Sequence, residues 1–271
     1  MPFAPSLAVT TVMHELRVRR LVVVATERIG PRMQRVTLGG PDLEPDFPMP
    51  PLSVADHVKI VLPDAATGEV TVPGIENDRL VRLQDIPTAV RDYTVRAVDG
   101  RGLVLDFVLH AHGPAGQWAG AAQIGQPLGV LGPRGSHLFP DGYDRYLLFA
   151  DETAMPAVGR WLDEPSLTAP VTVHALVQSP DEYPLPDRAD TNIVWHELPL
   201  GAERLHLMEV LAAGADLTGG SYVWAAGEAN SLKPLRRALK AAGADRSSYH
   251  IDGYWRQGTA GLDHHLSDDD D

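Results

Sequence analysis

At 271 residues the chain allows one large domain or two small ones, with ample core in either case. A net charge of −13 argues against a nucleic-acid partner and against adsorption to anionic membranes, and it means that any anionic ligand needs a local basic pocket. The absence of cysteine excludes disulfides, thiolate metal sites, cysteine-ligated iron–sulfur clusters and cysteine nucleophiles.

Met1 to Ser6 has neither the basic start nor the apolar core of a secretory signal, and the longest apolar runs, such as Leu21 to Ala25, are strand-sized. The reading is a cytoplasmic protein without membrane insertion. Residues 1–15 are expected to form a loose arm. Leu16 to Ile29, Met33 to Leu38, His57 to Leu62, Tyr93 to Val98, Leu103 to His110 and Leu128 to Leu131 read as six short strands with Gly, Pro and Asp punctuation between them. Six strands with little helix predict a small antiparallel barrel. The long connection from Pro63 to Val90 is expected to be a loop over a ligand.

Within this half, Arg91-Asp92-Tyr93-Thr94-Val95-Arg96 carries the most chemistry. On a strand, residues two apart share a face, so Arg91 and Tyr93 point together and Thr94 and Arg96 point the other way. An aromatic ring beside a guanidinium suits a ligand with a flat ring at one end and a phosphate at the other, and a flavin nucleotide has that form. The stretch from Gly113 to Trp118 supplies small residues leading into a short helix, whose first N–H groups suit an anion.

After Pro140 the pattern changes. Tyr146 to Ala150, Val171 to Val177, Ile193 to Glu197 and Ser221 to Ala225 read as strands alternating with helices, among them Glu203 to Ala213, with an apolar stripe of Leu205, Met208, Val210 and Leu211, and Ser231 to Ala242. Alternation of this kind calls for a parallel α/β sheet. No Gly-x-Gly-x-x-Gly is present; Asp151 to Ala157 and Ala226-Gly227-Glu228 stand instead at C-terminal strand ends, where such sheets hold ligands. Charge complementing a helix dipole is the plainer account of Asp151 and Glu152. His110 and His112 lack a third ligand at a familiar spacing, so no metal site is assigned. The closing acidic stretch, Ser267 to Asp271, is given no role.

Taken in order, Arg91-x-Tyr93-Thr94-x-Arg96, His110, Gly113-Pro114-Ala115-x-x-Trp118, Gly132-Pro133-Arg134-Gly135, Asp151 to Ala157, Ala226-Gly227-Glu228 and Gly253-Tyr254-Trp255-Arg256-x-Gly258 resemble the siderophore-interacting, or ferric-siderophore reductase, family of ferredoxin–NADP reductase-like flavoproteins. The ordered set covers roughly residues 17–260. The resemblance implies a β + α/β protein: an FAD-binding six-stranded antiparallel barrel over 1–142, then an α/β nicotinamide-binding domain over 143–271. It implies FAD held by Arg91, Tyr93, Thr94, Val95, His110, Gly113, Ala115, Gly116 and Trp118. NADPH or NADH would lie at Asp151, Thr153, Ala154, Gly227 and Glu228, with Gly227 bare to admit the cofactor backbone. A ferric siderophore would meet cations at Lys59, Arg134 and Arg256. The flavin carries the chemistry, so no residue is assigned as catalytic. The implied activity is NAD(P)H-driven reduction of a ferric siderophore. A flavin reductase working with ferredoxin or another acceptor, and a non-catalytic siderophore-binding flavoprotein, stand as alternatives.

Overall fold

The computed structural model describes residues 7–110, 113–180, 183–215, 217 and 220–259. They fall into two compact units, one built from Thr10–Leu138 and the other from Phe139 onward together with the short segment before Thr10. No helix among the described residues is long and apolar enough to cross a membrane.

The first unit is a closed antiparallel barrel of six strands in the order β2-β3-β8-β7-β4-β9. These are β2 (Val18–Gly30), β3 (Met33–Gly39), β4 (His57–Val61), β7 (Val90–Asp99), β8 (Gly102–Val108) and β9 (Pro127–Leu131). They are the six expected from alternation, and the same alternation fills the interior. Leu21 and Val23, Val36 and Leu38, Val58 and Ile60, Leu103, Leu105 and Phe107, and Leu128 and Val130 all lie in one buried cluster. Each such side chain taken from water contributes on the order of 1.5–3 kcal/mol. Charge also enters the wall: Arg35, paired in register with Asp106, forks onto its carboxylate at 2.7 and 2.9 Å.

Two parts of this unit depart from the sequence reading. Residues 10–13 are not a loose arm: β1 (Thr10–Met13) pairs antiparallel with β10 (Gly135–Leu138). The ribbon is tied down by His14 Nε2, 2.6 Å from the Ser136 hydroxyl, which donates to Asp56 at 2.5 Å. The Pro63-to-Val90 connection is not plain loop either, because it holds a second ribbon of β5 (Gly74–Glu76) and β6 (Arg79–Val81). Helix α1 (Pro114–Ala121) follows β8 and packs Ala115 and Ala119 into the barrel core.

The second unit is a five-stranded sheet, β13-β12-β11-β14-β15, with every neighbouring pair parallel. Its strands are β11 (Arg145–Asp151), β12 (Val171–Val177), β13 (Thr191–Glu197), β14 (Ser221–Glu228) and β15 (Tyr249–Trp255), with helices α2 (Met155–Asp163), α3 (Ala202–Gly214) and α4 (Lys233–Ala241). The fifth strand, β15, is absent from the sequence reading and contains the Gly253-Tyr254-Trp255 run. The expected stripe of α3 also shifts: Val210 is 55 % exposed, whereas Arg204, Met208 and Ala212 are buried. Arg204 shares this inward face, four residues before Met208, and meets a carboxylate described below.

Candidate functional site

In the barrel the residues assigned to a flavin gather on β7, the end of β8 and α1. Tyr93 lies opposite Val58 in register, on the core-facing side, and its ring rests on Phe107 with centroids 4.3 Å apart. Trp118 of α1 leans on the same Phe107 at 5.6 Å. Burial pushes the Tyr93 phenol well above its usual range, so it is a neutral group at all ordinary pH. Thr94 is buried on the opposite side of β7, across from His57. Val95 is fully buried, and the strand bulges between it and Ala97, which breaks the simple alternation before Arg96 is reached. Arg91 is half-buried, donates to its neighbour's carbonyl at Val90 (2.8 Å), and has no carboxylate partner among the described residues.

The start of α1 is equally open. Gly113 stands at the N-cap with no side-chain cap, and Pro114 has no N–H, so among the described residues the first-turn N–H groups of Ala115 and Gly116 receive no side-chain acceptor. Both glycines are required by close approach. A Cβ on Gly113 would sit 2.2 Å from the His110 ring, and one on Gly116 would sit 2.7 Å from the Val108 carbonyl. His110 itself lies just past the end of β8 and is exposed, while His112 falls outside the described residues. The Trp118 Nε1 and the Thr88 hydroxyl are buried without a hydrogen-bond partner among the described residues. Buried donors of this kind cost free energy until something accepts from them. An uncapped helix start, a guanidinium free of carboxylate and these two buried groups fit a ring-bearing, phosphate-bearing cofactor such as FAD.

In the α/β unit, Ala150, Asp151, Leu176, Arg204, Met208, Ala226, Gly227, Glu228, Ser231 and Leu232 line a small cleft at the C-terminal ends of β11, β12 and β14. This is where an open parallel sheet holds a ligand. Asp151 is its organising group. One carboxylate oxygen accepts from the Thr153 N–H (2.8 Å) and hydroxyl (2.6 Å); the other accepts from the Glu228 N–H (2.9 Å) and the Trp255 indole (2.8 Å). These bonds tie the ends of β11, β14 and β15 together. Burial, with the charge of Glu152 adding to it, raises the Asp151 pKa, opposed by donation from Thr153 and Trp255.

Glu152 is likewise committed. It forks onto Arg204 at 2.6 and 2.7 Å, both side chains almost fully buried, and also accepts the Gln178 N–H at 2.9 Å. The helix-dipole account of Asp151 and Glu152 is therefore too weak: both are structural acceptors. Glu228 accepts from the Ser231 N–H (2.7 Å) and hydroxyl (3.0 Å), and Ala154 is fully buried. Gly227 needs no cofactor to explain it. Its φ is +149°, and a Cβ there would come 2.7 Å from the Asp151 carboxylate.

The three cations expected to meet a chelate differ in their surroundings. Lys59 is held by Asp92, its register partner on β7, at 2.8 and 2.9 Å. Arg134 meets Asp78 at 2.6 Å and donates to the His14 carbonyl at 2.9 Å. Arg256, just past β15, has a buried Nε without a hydrogen-bond partner and no carboxylate partner among the described residues.

A closed antiparallel barrel followed by a parallel sheet with a cleft at its C-terminal edge defines the class: a ferredoxin-reductase-type fold. The ferredoxin reductase in carbazole 1,9a-dioxygenase shares that fold at TM-score 0.61 and 17 % identity, over 89 % of this chain and 70 % of that one. Within that class the chain belongs to the siderophore-interacting protein family. The family's FAD-binding domain matches residues 22–137 and its siderophore-interacting protein domain matches residues 143–258. A siderophore utilization protein from T. fusca is 42 % identical, with TM-score 0.87 over 95 % of this chain and 99 % of that one. The NADPH-dependent ferric-chelate reductase of Escherichia coli K12 is 32 % identical over 252 residues, 90 % of this chain and 95 % of its own length.

Proposed function

We propose that the protein is an FAD-dependent ferric-siderophore reductase that takes electrons from NADPH and delivers them to the Fe(III) chelate, releasing Fe(II). The observation that carries this reading is end-to-end similarity, through both domains, to a relative named as an NADPH-dependent ferric-chelate reductase. When bound, FAD supplies the conversion between a two-electron hydride donor and one-electron delivery. For each NADPH consumed, two Fe(III) centres become Fe(II) and one proton is released. Oxygen-rich siderophores hold hard Fe(III) far better than Fe(II), so reduction frees the metal. A nicotinamide donor supports a cytoplasmic site of action.

The chain's own groups then have distinct tasks. The barrel unit holds FAD: Tyr93 covers the ring, the Thr94 backbone N–H reaches its polar edge, Val95 and His110 border it, and Arg91 takes a phosphate. Gly113, Ala115, Gly116 and Trp118 cradle the pyrophosphate. The α/β unit receives the nicotinamide, with Ala154 and Gly227 shaping the cleft wall and Asp151, Thr153 and Glu228 fixing its frame. Lys59 and Arg134 on the barrel, and Arg256 on the α/β unit, supply positive charge to an anionic chelate in a strongly acidic protein.

The purified protein should show a flavin absorbance spectrum that bleaches on anaerobic NADPH addition and recovers when a ferric siderophore is added, with Fe(II) captured by a ferrous-specific dye at two per NADPH. A flavin that NADPH reduces but no ferric chelate reoxidises would reject the iron reading. Reduction by ferredoxin and not by NADPH would move the donor assignment. Arg91→Ala should weaken FAD by roughly 1.5–3 kcal/mol, the worth of a hydrogen bond to a charged group. Unchanged FAD affinity in that variant would remove Arg91 from the site.

A further inference from the structure

Asp78 sits at the tip of the β5–β6 ribbon, outside the barrel wall. Its turn residues, Asn77 and Asp78, have φ of 50° and 59°, the left-handed pair of a tight two-residue hairpin. Residues 74–79 are all exposed. What ties the tip down is one ion pair, Asp78 to Arg134 at 2.6 Å, with the two side chains 55 % and 46 % exposed. Arg134 is fixed from the other side: it donates to the His14 carbonyl, and its own carbonyl accepts the His14 N–H at 3.0 Å. The cation is anchored to the β1–β10 ribbon, and its anionic partner rides on a separate hairpin. The Lys59–Asp92 pair differs, because both of its members are locked in barrel register.

We propose that Asp78 is a built-in competitor for Arg134, occupying that guanidinium until an anionic ferric chelate displaces it, and so raising the concentration of anionic chelate that the reductase needs. The proposal rests on the reading of Arg134 as a chelate-binding cation. A half-exposed ion pair is weak and screened by salt, so a ligand offering two or more carboxylates or catecholates in fork geometry outcompetes it. A neutral chelate gains nothing by displacing Asp78. On this account the hairpin tip is released when the anion binds.

Asp78→Asn removes the charge and keeps the turn, since Asn tolerates left-handed φ. Relative to wild type, the variant should show a roughly two- to five-fold lower KM for ferric citrate at low salt, the range open to a surface ion pair. The difference should vanish in high salt. KM for a neutral ferric trihydroxamate, FAD content and the rate of flavin reduction by NADPH should not change. Glu76→Gln, which removes a charge from the same ribbon without breaking the pair, should leave KM for ferric citrate unaltered. An unchanged KM for ferric citrate in Asp78→Asn, or an equal fall in Glu76→Gln, overturns the proposal. If neither chelate is reduced by any of the proteins, the reductase reading fails instead. A second measurement then still decides on the latch. Trypsin should cut after Arg79 and Arg82 faster in Asp78→Asn than in wild type, and redox-inert gallium citrate should accelerate cutting of wild type towards the variant's rate. Equal rates under all three conditions reject it.

Discussion

Replacing Asp151 with Asn tests whether this residue builds the nicotinamide cleft or touches its ligand. The carboxylate accepts four hydrogen bonds, two on each oxygen. An amide keeps one accepting oxygen and turns an NH2 towards two donors, so two of the four bonds are lost whichever way it sits. Each is a hydrogen bond to a buried charged group, worth about 1.5–3 kcal/mol, which puts the loss at about 3 kcal/mol or more. Trp255→Phe removes one bond and should cost about half as much. Urea unfolding followed by tryptophan fluorescence suits this region, because Trp161, Trp195, Trp224 and Trp255 all lie in the α/β unit and Trp118 alone lies in the barrel. The expected result is a lower urea midpoint for Asp151→Asn, a smaller fall for Trp255→Phe, and unchanged FAD content in both. An Asp151→Asn protein that unfolds at the wild-type midpoint yet has a raised KM for NADPH would refute the clamp and make Asp151 a direct ligand of the donor.

Arg204→Met should cost about 3–5 kcal/mol by stranding the Glu152 carboxylate, and adding Glu152→Gln should recover part of that loss in the same unfolding assay. Gly227→Ala should destabilise by about 1–3 kcal/mol from its φ of +149° alone, before Asp151 is pushed aside, and a wild-type melting temperature would show that the cleft can yield. His174, stacked between Phe149 and His196, is held by burial, with His196 adding, at about 4 rather than 6.5. The fold therefore favours its neutral form: this contribution to stability is complete above pH 6.5 and is lost as the pH falls from about 6.5 towards 4. Proton NMR should place its titration midpoint far below 6.5, and a midpoint near 6.5 would contradict the burial account.

The elements that were legible in the sequence are those whose residues alternate in and out of a core. All six barrel strands announce themselves this way, as do the first four strands of the α/β alternation. The missed elements have no such signal. Every residue of β1 is exposed, and β15 buries Ile251 and Gly253 alone, so neither offers an apolar run to read. The β5–β6 ribbon did carry a cue, the Asn77-Asp78 pair between short β-prone stretches. The Glu152–Arg204 pair joins residues 52 positions apart and has no local trace, although Arg204 lies on the inward face of α3. The residues assigned to a flavin stand out as ordered motifs, because spacing alone does not distinguish Tyr93 as a ring platform from Tyr93 as an ordinary cross-strand residue.

The polar groups at these two sites divide by whether the protein already satisfies them. Asp151, Glu152 and Glu228 have their oxygens filled by donors from the chain itself, and Lys59 and Arg134 each face a carboxylate. Such groups shape a site, or must first be released, before they can hold a ligand. Arg91 has no carboxylate partner, and Trp118 Nε1, the Thr88 hydroxyl, the first-turn N–H groups of α1 and the Nε of Arg256 lack a side-chain acceptor, among the described residues. A buried donor without an acceptor is destabilising, and a ligand or water that accepts from it relieves that cost. Four of these five open features lie in the barrel and point to a tightly held, phosphate-bearing cofactor. The groups around the α/β cleft are mostly closed, which suits a donor that must bind and leave in every cycle.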